Sequence, residues 1–221
     1  RSNTVIMQII SITGTASGVG KTTVAQFLLK YLWSFSALKI TTRHEGNNCP
    51  RHSECDVCET MKHPYTVTVD PLQINQTGKD TALFNNAGAR KVVWLQAHSE
   101  HLQAGIEDAL SRFGKTDSVI VEGNSFLHAH DADLSILVVT PRERKIKRST
   151  VQILPKIDVV AINKYADDSE SDVTEARERL HQIGCYAPVY IINPRDENFS
   201  QNKIFLKHLR ETIGQPIHIY Q

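Results

Sequence analysis

The sequence predicts an α/β protein in three layers, in which a mostly parallel sheet is flanked by helices on both faces. Short runs of Val and Ile alternate with segments whose apolar residues recur at helical spacing. Strands buried on both faces of a parallel sheet have such near-continuous apolar runs. A glycine-rich turn also follows the first apolar run and precedes the first helical pattern, as in many phosphate-binding α/β sheets. We predict a single domain over 1–221.

The first strand is predicted over 4–13, and the helix after the glycine-rich turn over 23–35. Further strands are predicted over 37–42, 65–70, 91–97, 117–123, 133–140, 157–164 and 187–193. Further helices are predicted over 79–88, 99–114, about 168–183 and 200–213. Ser99 is the predicted N-cap of its helix, and Gly114 the predicted stop.

The stretch GTASGVGKTT, residues 14–23, is the strongest functional signal. A strand, a glycine-rich turn and a helix N-terminus together present free backbone N–H groups to an anion. Lys21 is predicted to reach the β- and γ-phosphates, and the Thr22 hydroxyl to bind Mg²⁺. The strict motif has glycine where this chain has Thr15, so the loop is a G-x₅-G-K-T variant. The alternative is a turn that only joins strand to helix. The predicted nucleotide-binding residues of this loop are Gly18, Val19, Gly20, Lys21, Thr22 and Thr23.

Two acidic residues at strand ends complete the predicted catalytic set with Lys21. Glu122 ends the run SVIVE and is predicted to bind Mg²⁺ directly or through water. Asp70 ends another strand and is predicted to orient a water or a substrate group. The alternative for Glu122 is a surface carboxylate at a strand end. Asp80, after a glycine, is interpreted as a possible helix cap.

The segment 43–64 is polar, lacks periodicity and is predicted to be a metal-binding loop inserted after the second strand. Cys49, His52, Cys55 and Cys58 follow a C-x₂-H-x₂-C-x₂-C pattern. Thiolates and imidazole suit Zn²⁺ or an iron–sulfur cluster, and this choice stays open, as do redox-active thiols or a disulfide. His63 is a possible substitute for His52.

The run AINKYAD resembles the guanine-reading N-K-x-D pattern of GTPases. Asn163 and Lys164 are therefore predicted to contact the nucleotide base. Ala166 stands where the pattern has Asp, so ATP and GTP both remain candidates. The basic run RERKIKR at 142–148 is interpreted as a solvated helix face, with a landing patch for an anionic substrate or acidic partner as the alternative.

A longer set of motifs resembles the MobB family, the nucleotide-binding proteins of molybdopterin guanine dinucleotide biosynthesis. The matching pieces are ITTRH (40–44), Asp70, GKDT (78–81), AGA (87–89) and VEG (121–123). The resemblance covers residues 5 to about 123. It implies membership in the P-loop NTPase class that includes dethiobiotin synthetase, nitrogenase iron protein and signal-recognition GTPases. It also implies a homodimer. For His44 it implies a role in substrate or metal contact, with a structural role as the alternative.

The overall composition limits the classes of partner molecule that we expect. The formal net charge is +1, so no global field attracts nucleic acid or anionic membrane. No apolar run reaches the roughly 20 residues that span a bilayer. Clustered cysteines favour metal chemistry in a reducing cytoplasm over a disulfide framework, and Cys185, far from the cluster, is predicted to be a buried core thiol. We therefore expect a cytoplasmic protein with neither nucleic-acid nor membrane partners.

The leading hypothesis is a Mg²⁺-dependent nucleoside triphosphatase that assists metallocofactor biosynthesis together with a client protein. A second is a small-molecule kinase or ATP-dependent ligase. A third is a metal-delivery module in which nucleotide binding gates the cysteine site.

Overall fold

The computed structural model describes residues 7–43 and 63–214. Its strands form one eight-stranded sheet in the order β3-β4-β2-β5-β1-β6-β7-β8. Every neighbouring pair is parallel except β3 with β4, which are antiparallel at the edge. The strands are β1 Gln8–Gly14, β2 Phe35–Arg43, β3 Tyr65–Thr68, β4 Val92–His98, β5 Ser118–Glu122, β6 Leu134–Val139, β7 Val159–Asn163 and β8 Val189–Ile192.

Helices connect the strands and cover both faces. They are α1 Lys21–Tyr31, α2 Pro71–Ile74, α3 Asp80–Asn86, α4 Leu102–Ser111, α5 Phe126–Ala129, α6 Arg148–Ile153, α7 Glu170–Gln182 and α8 Ser200–Thr212. One apolar core lies between the sheet and α1, α3 and α8. A second lies between the opposite face and α4, α5 and α7. The predicted three-layer α/β fold is therefore confirmed.

The first connection shows why the chain folds this way locally. Apolar residues of α1 recur at helical spacing, and Val24 and Leu28 are fully buried against the sheet. The helix ends at Tyr31, earlier than predicted, because Leu32 is extended and Ser34 takes a left-handed turn with φ 68°. The chain then enters β2 at Phe35. The predicted helical end over 32–35 is thus wrong.

Smaller differences concern element ends. Ser99 opens a 3₁₀ turn over Ser99–His101, and no side chain caps α4, which begins at Leu102. Arg43, assigned to the inserted loop by sequence, is the last residue of β2. By contrast, α7 begins with a capping box in which Ser169 and Asp172 bond each other's backbone N–H, as a stable N-terminus requires.

Candidate functional site

The loop between β1 and α1 has the shape of a phosphate cradle. Gly18 and Gly20 both have positive φ, 80° and 89°, which glycine adopts without the strain that a Cβ adds. Gly20 is the N-cap of α1, no side chain caps the helix there, and its first turn contains no acidic residue. The N-terminal N–H groups and the positive end of the helix dipole are therefore not neutralised by a side chain of the helix.

Asn163 supports this loop from the end of β7. Its Nδ2 donates to the backbone oxygen of Val19 at 3.2 Å and to Tyr165 Oη at 3.2 Å. A Cβ built on Gly20 would collide with Asn163 Nδ2. Asn163 is 1% exposed. The amide predicted to read the nucleotide base is thus engaged in holding the loop in place.

Asn124 fixes the other end of the loop, and sequence reasoning missed it. Its Oδ1 accepts hydrogen bonds from Gly14 N at 3.0 Å and Thr13 Oγ1 at 3.3 Å. The Thr150 hydroxyl donates to Gly14 O at 3.2 Å from α6. A polar residue directly after the VEG motif was the available signal. Together these contacts anchor the loop where β1 ends.

Lys21, the first residue of α1, carries a half-buried charge in the cradle. Its Nζ donates to Ala16 O at 3.4 Å. Burial lowers the pKa of Lys21 below its usual range, and the attraction of Glu122 opposes that effect without cancelling it. The positive charges of Lys39 and Lys147 lower it further. An anion bound beside Lys21 would stabilise its charged form.

Glu122, at the end of β5, lies at the centre of the charged groups. The Thr22 hydroxyl donates to Glu122 Oε2 at 3.3 Å. Lys39 Nζ forms ion pairs with Glu122 and, at 2.5 Å, with Asp80 Oδ2. The burial of Lys39 would lower its pKa, but the two carboxylates more than offset this, so its pKa lies above the usual range. Predicted Lys21, Thr22 and Glu122 therefore meet at one place.

Lys39 was missed by sequence reasoning, and the signal was a lysine between the apolar residues of the strand ALKITT. Asp80 was interpreted as a helix cap, but Lys79 is the N-cap of α3 and Asp80 is the first helical residue. Its carboxylate points to Lys39 instead. The charged set of the site therefore contains two residues, Lys39 and Asp80, that the sequence did not place there.

Asp70 lies away from this set. It is exposed and caps α2 by accepting a hydrogen bond from Leu72 N at 3.0 Å. β3 runs antiparallel to its neighbour β4. The C-terminal end of β3 therefore lies where the parallel strands begin, and not where β1 and β5 end. The structure does not bring Asp70 to Lys21 and Glu122.

The remaining predicted contacts have local partners. Lys164 forms an ion pair with Glu170 at the start of α7.

The basic run is not helical over 142–147, so the helix-face interpretation is wrong. Arg142 Nε pairs with buried Asp168 at 2.8 Å. The backbone N of Lys147 donates to Thr15 O at 3.1 Å, which places this segment beside the phosphate loop.

The predicted Cys/His site lies outside the described residues, as do His44 and most of the inserted loop over 43–64. Its residues are Cys49, His52, Cys55 and Cys58. Within 7–43 and 63–214, no group of three or more His, Cys, Asp or Glu residues is placed to hold a metal ion. Cys185 is buried at 3% exposure, as predicted, and burial raises the pKa of its thiol. In the same ranges, no helix combines the length and apolarity needed to span a bilayer.

Several solved structures share this fold at low sequence identity. HypB from Helicobacter pylori in complex with nickel has a TM-score of 0.56 and 18% identity, over 97% of this chain and 92% of that one. Hydrogenase maturation factor HypB from Archaeoglobus fulgidus has a TM-score of 0.55 and 13% identity, over 94% and 90%. A variant of Cyanothece McdA in complex with ATP has a TM-score of 0.53 and 13% identity, over 97% and 99%.

These likenesses and the strand–loop–helix geometry define the class: the chain has the α/β fold of P-loop NTPases. No protein-family model matches the sequence, and no curated protein does either. The narrower resemblance to the MobB family stays a prediction.

Proposed function

We propose that the protein binds a nucleoside triphosphate with Mg²⁺ at the loop over 14–23 and hydrolyses it, in support of metallocofactor assembly. The single observation that supports this most strongly is Lys21. It is a half-buried cation at an uncapped helix N-terminus, and burial lowers its pKa. A triphosphate would supply the negative charge that this position lacks.

The residues present fit Mg²⁺. The Thr22 hydroxyl and the Glu122 carboxylate converge at 3.3 Å, and oxygen donors of this kind are those that Mg²⁺ prefers. When bound, the ion neutralises phosphate charge. Thr22 would hold it directly, and Glu122 directly or through a water.

The chain's own groups have separate roles in this proposal. Backbone N–H groups of the loop bind the phosphates, and Lys21 holds the charge that develops on them during cleavage. Lys39, between Glu122 and Asp80, fixes the position of Glu122. Asn163 acts as a positioning residue through Val19. Asp70 has no catalytic role in this proposal, because it lies where the parallel strands begin and not where β1 and β5 end.

The test is nucleotide binding by Lys21→Ala, measured by calorimetry with ATP and with GTP in Mg²⁺. Loss of a charge that pairs with a desolvated partner costs about 2–5 kcal/mol, so Kd rises on the order of 30-fold or more. Lys30→Ala, in the same helix but in an exposed pair with Glu197, is the matched control and keeps wild-type affinity. Equal affinity in wild type and Lys21→Ala would refute the proposal. Phosphate release without an added acceptor distinguishes hydrolysis from a kinase or ligase reaction.

A second candidate is metal delivery gated by nucleotide. It is favoured by the C-x₂-H-x₂-C-x₂-C pattern and by the fold shared with a HypB that binds nickel. A client protein and a homodimer are part of this proposal. Anaerobic purification with metal analysis tests it: a stoichiometric metal lost in the Cys55→Ser variant supports delivery, and metal-free wild type contradicts it.

A further inference from the structure

A row of polar side chains continues from the nucleotide site along β2 and β4. Residues that are partners in the parallel register point to the same face of a sheet, and alternate residues along each strand share that face. On the face that packs against α1 and α3, the core ends near the middle of the two strands. Beyond it the partners are Lys39 with Trp94, Thr41 with Gln96, and Arg43 with His98.

The first part of this row has hydrogen-bond or ion-pair partners, but its last members keep polar atoms for which the described residues offer none. Trp94 Nε1 donates to Thr41 Oγ1 at 3.0 Å. Arg43 is 2% exposed, and its Nε and Nη2 are buried with no hydrogen-bond partner among the described residues. His98 Nδ1, opposite it on β4, is also buried and has no partner in that part of the chain. No carboxylate within residues 7–43 or 63–214 forms an ion pair with this guanidinium.

Buried guanidinium N–H groups without an acceptor are unfavourable. Buried charges in proteins are normally paired and hydrogen-bonded, and each lost partner has a desolvation cost. Arg presents its N–H groups in a planar fork that matches the two oxygens of a carboxylate or phosphate. An imidazole nitrogen one strand away adds a further contact. The unpartnered atoms are thus of the types that recognise an oxyanion.

The location also fits a ligand. Arg43 and His98 end two neighbouring parallel strands, and ligands of open α/β sheets bind beyond the carboxyl ends of the strands. Arg43 is four residues beyond Lys39, about 13 Å along β2 at roughly 3.3 Å per residue. An oxyanion there would lie beside, and not inside, the phosphate loop.

We propose that Arg43 and His98 bind the oxyanion, a carboxylate or phosphate group, of a second small ligand next to the nucleotide site. This goes beyond nucleotide hydrolysis and does not depend on it. The Arg43 fork holds two oxygens of the ligand, and His98 Nδ1 contacts the same group. The row of Thr41 and Gln96 leads from this group toward Lys39.

Thermal unfolding in the Lys21→Ala background tests the site, because that variant removes the cation of the phosphate loop. Inorganic phosphate and acetate are compared with chloride at equal ionic strength. We expect Tm to rise by about 2–4 °C once the anion exceeds its Kd several-fold. The rise is absent when Arg43→Met is added, and retained with Arg177→Met, an exposed arginine on α7. A rise with phosphate alone identifies a phosphoryl ligand, and a rise with acetate extends it to carboxylates.

The same measurement separates recognition from a structural role. Without added anion, Arg43→Met leaves Tm unchanged or higher, since Met keeps an apolar stem and removes a buried charge. If Arg43→Met does not fold, His98→Leu replaces it, because it removes the imidazole that contacts the same group. The Tm rise with anion is then smaller than in the Lys21→Ala background alone, and Arg177→Met still retains the full rise. No Tm rise, or a rise that persists unreduced in Arg43→Met or in His98→Leu, overturns the proposal.

Discussion

Two partly buried lysines lie on either side of Glu122, and their surroundings differ sharply. Lys39, in β2, sits between the carboxylates of Glu122 and Asp80. Lys21, at the start of α1, has a backbone oxygen as its hydrogen-bond partner, at 3.4 Å. As a result the pKa of Lys39 lies above its usual range and that of Lys21 below it.

This difference separates a lysine with a structural role from a lysine that is available to a ligand. The charge of Lys39 is neutralised within the chain, so Lys39 contributes to folding and positions Glu122. The charge of Lys21 is opposed by burial, so the folded protein keeps it at a cost that a bound polyanion would offset. Removing each lysine is the direct way to test this contrast.

The largest expected effect is on stability when Lys39 is replaced by Met. The change leaves Glu122, which is 2% exposed, without its cation, and the free energy of unfolding falls by about 3–5 kcal/mol. Urea denaturation measures it. Adding Glu122→Gln recovers most of the loss, because a neutral amide is easier to bury than a carboxylate. Lys30→Met, which breaks an exposed pair, is the control and leaves stability unchanged. A Lys39→Met variant as stable as wild type would show that Lys39 does not contribute to folding in the way that we infer.

A smaller loss is expected when Gly20 is replaced by Ala, because Asn163 packs directly against this position of the phosphate loop. Both the positive φ and the contact with Asn163 oppose a Cβ, and stability falls by about 2–3 kcal/mol. Gly18→Ala is the matched comparison: φ is also positive, but no atom of residues 7–43 or 63–214 lies within 4 Å of the added Cβ. It costs about 1 kcal/mol. Equal losses would show that Asn163 does not constrain the loop.

The smallest effect is a pH dependence that has opposite signs for the two lysines. The folded pKa of Lys21 is below its ordinary value of 10.5, so between the two the unfolded chain binds more protons and stability rises with pH. Lys39→Met keeps this rise and Lys21→Met loses it. The stabilisation from Lys39 is present below 10.5 and is lost as pH rises through its higher folded pKa. One proton limits either slope to about 1.4 kcal/mol per pH unit. Denaturation curves from about pH 8 to 12 measure both, and identical profiles for the two variants would contradict the assignment.

The sequence was most informative where local pattern and fold agree. Apolar runs and, for β3, an alternating run predicted every strand of the sheet over the described residues, because strands buried on both faces are mostly apolar and a half-exposed strand alternates. It was less informative at helix ends, as at Tyr31, where the turn through Ser34 depends on packing into β2. Asp70 shows the limit most clearly. A strand end looks the same in sequence whether the strand runs parallel or antiparallel to its neighbours. The two directions nevertheless place that end at opposite ends of the neighbouring strands.

By itself, the sequence determined the α/β class and the phosphate loop, because strand and helix periodicity and a glycine-rich turn are local properties of the chain. Only the tertiary structure decided which distant charges meet. Lys39, Asp80 and Glu122 come from three separate elements, and Arg43 faces His98 only because β2 pairs with β4. Pairing and desolvation are set by neighbours in space, so the difference between a satisfied lysine and an unsatisfied one appears only after folding.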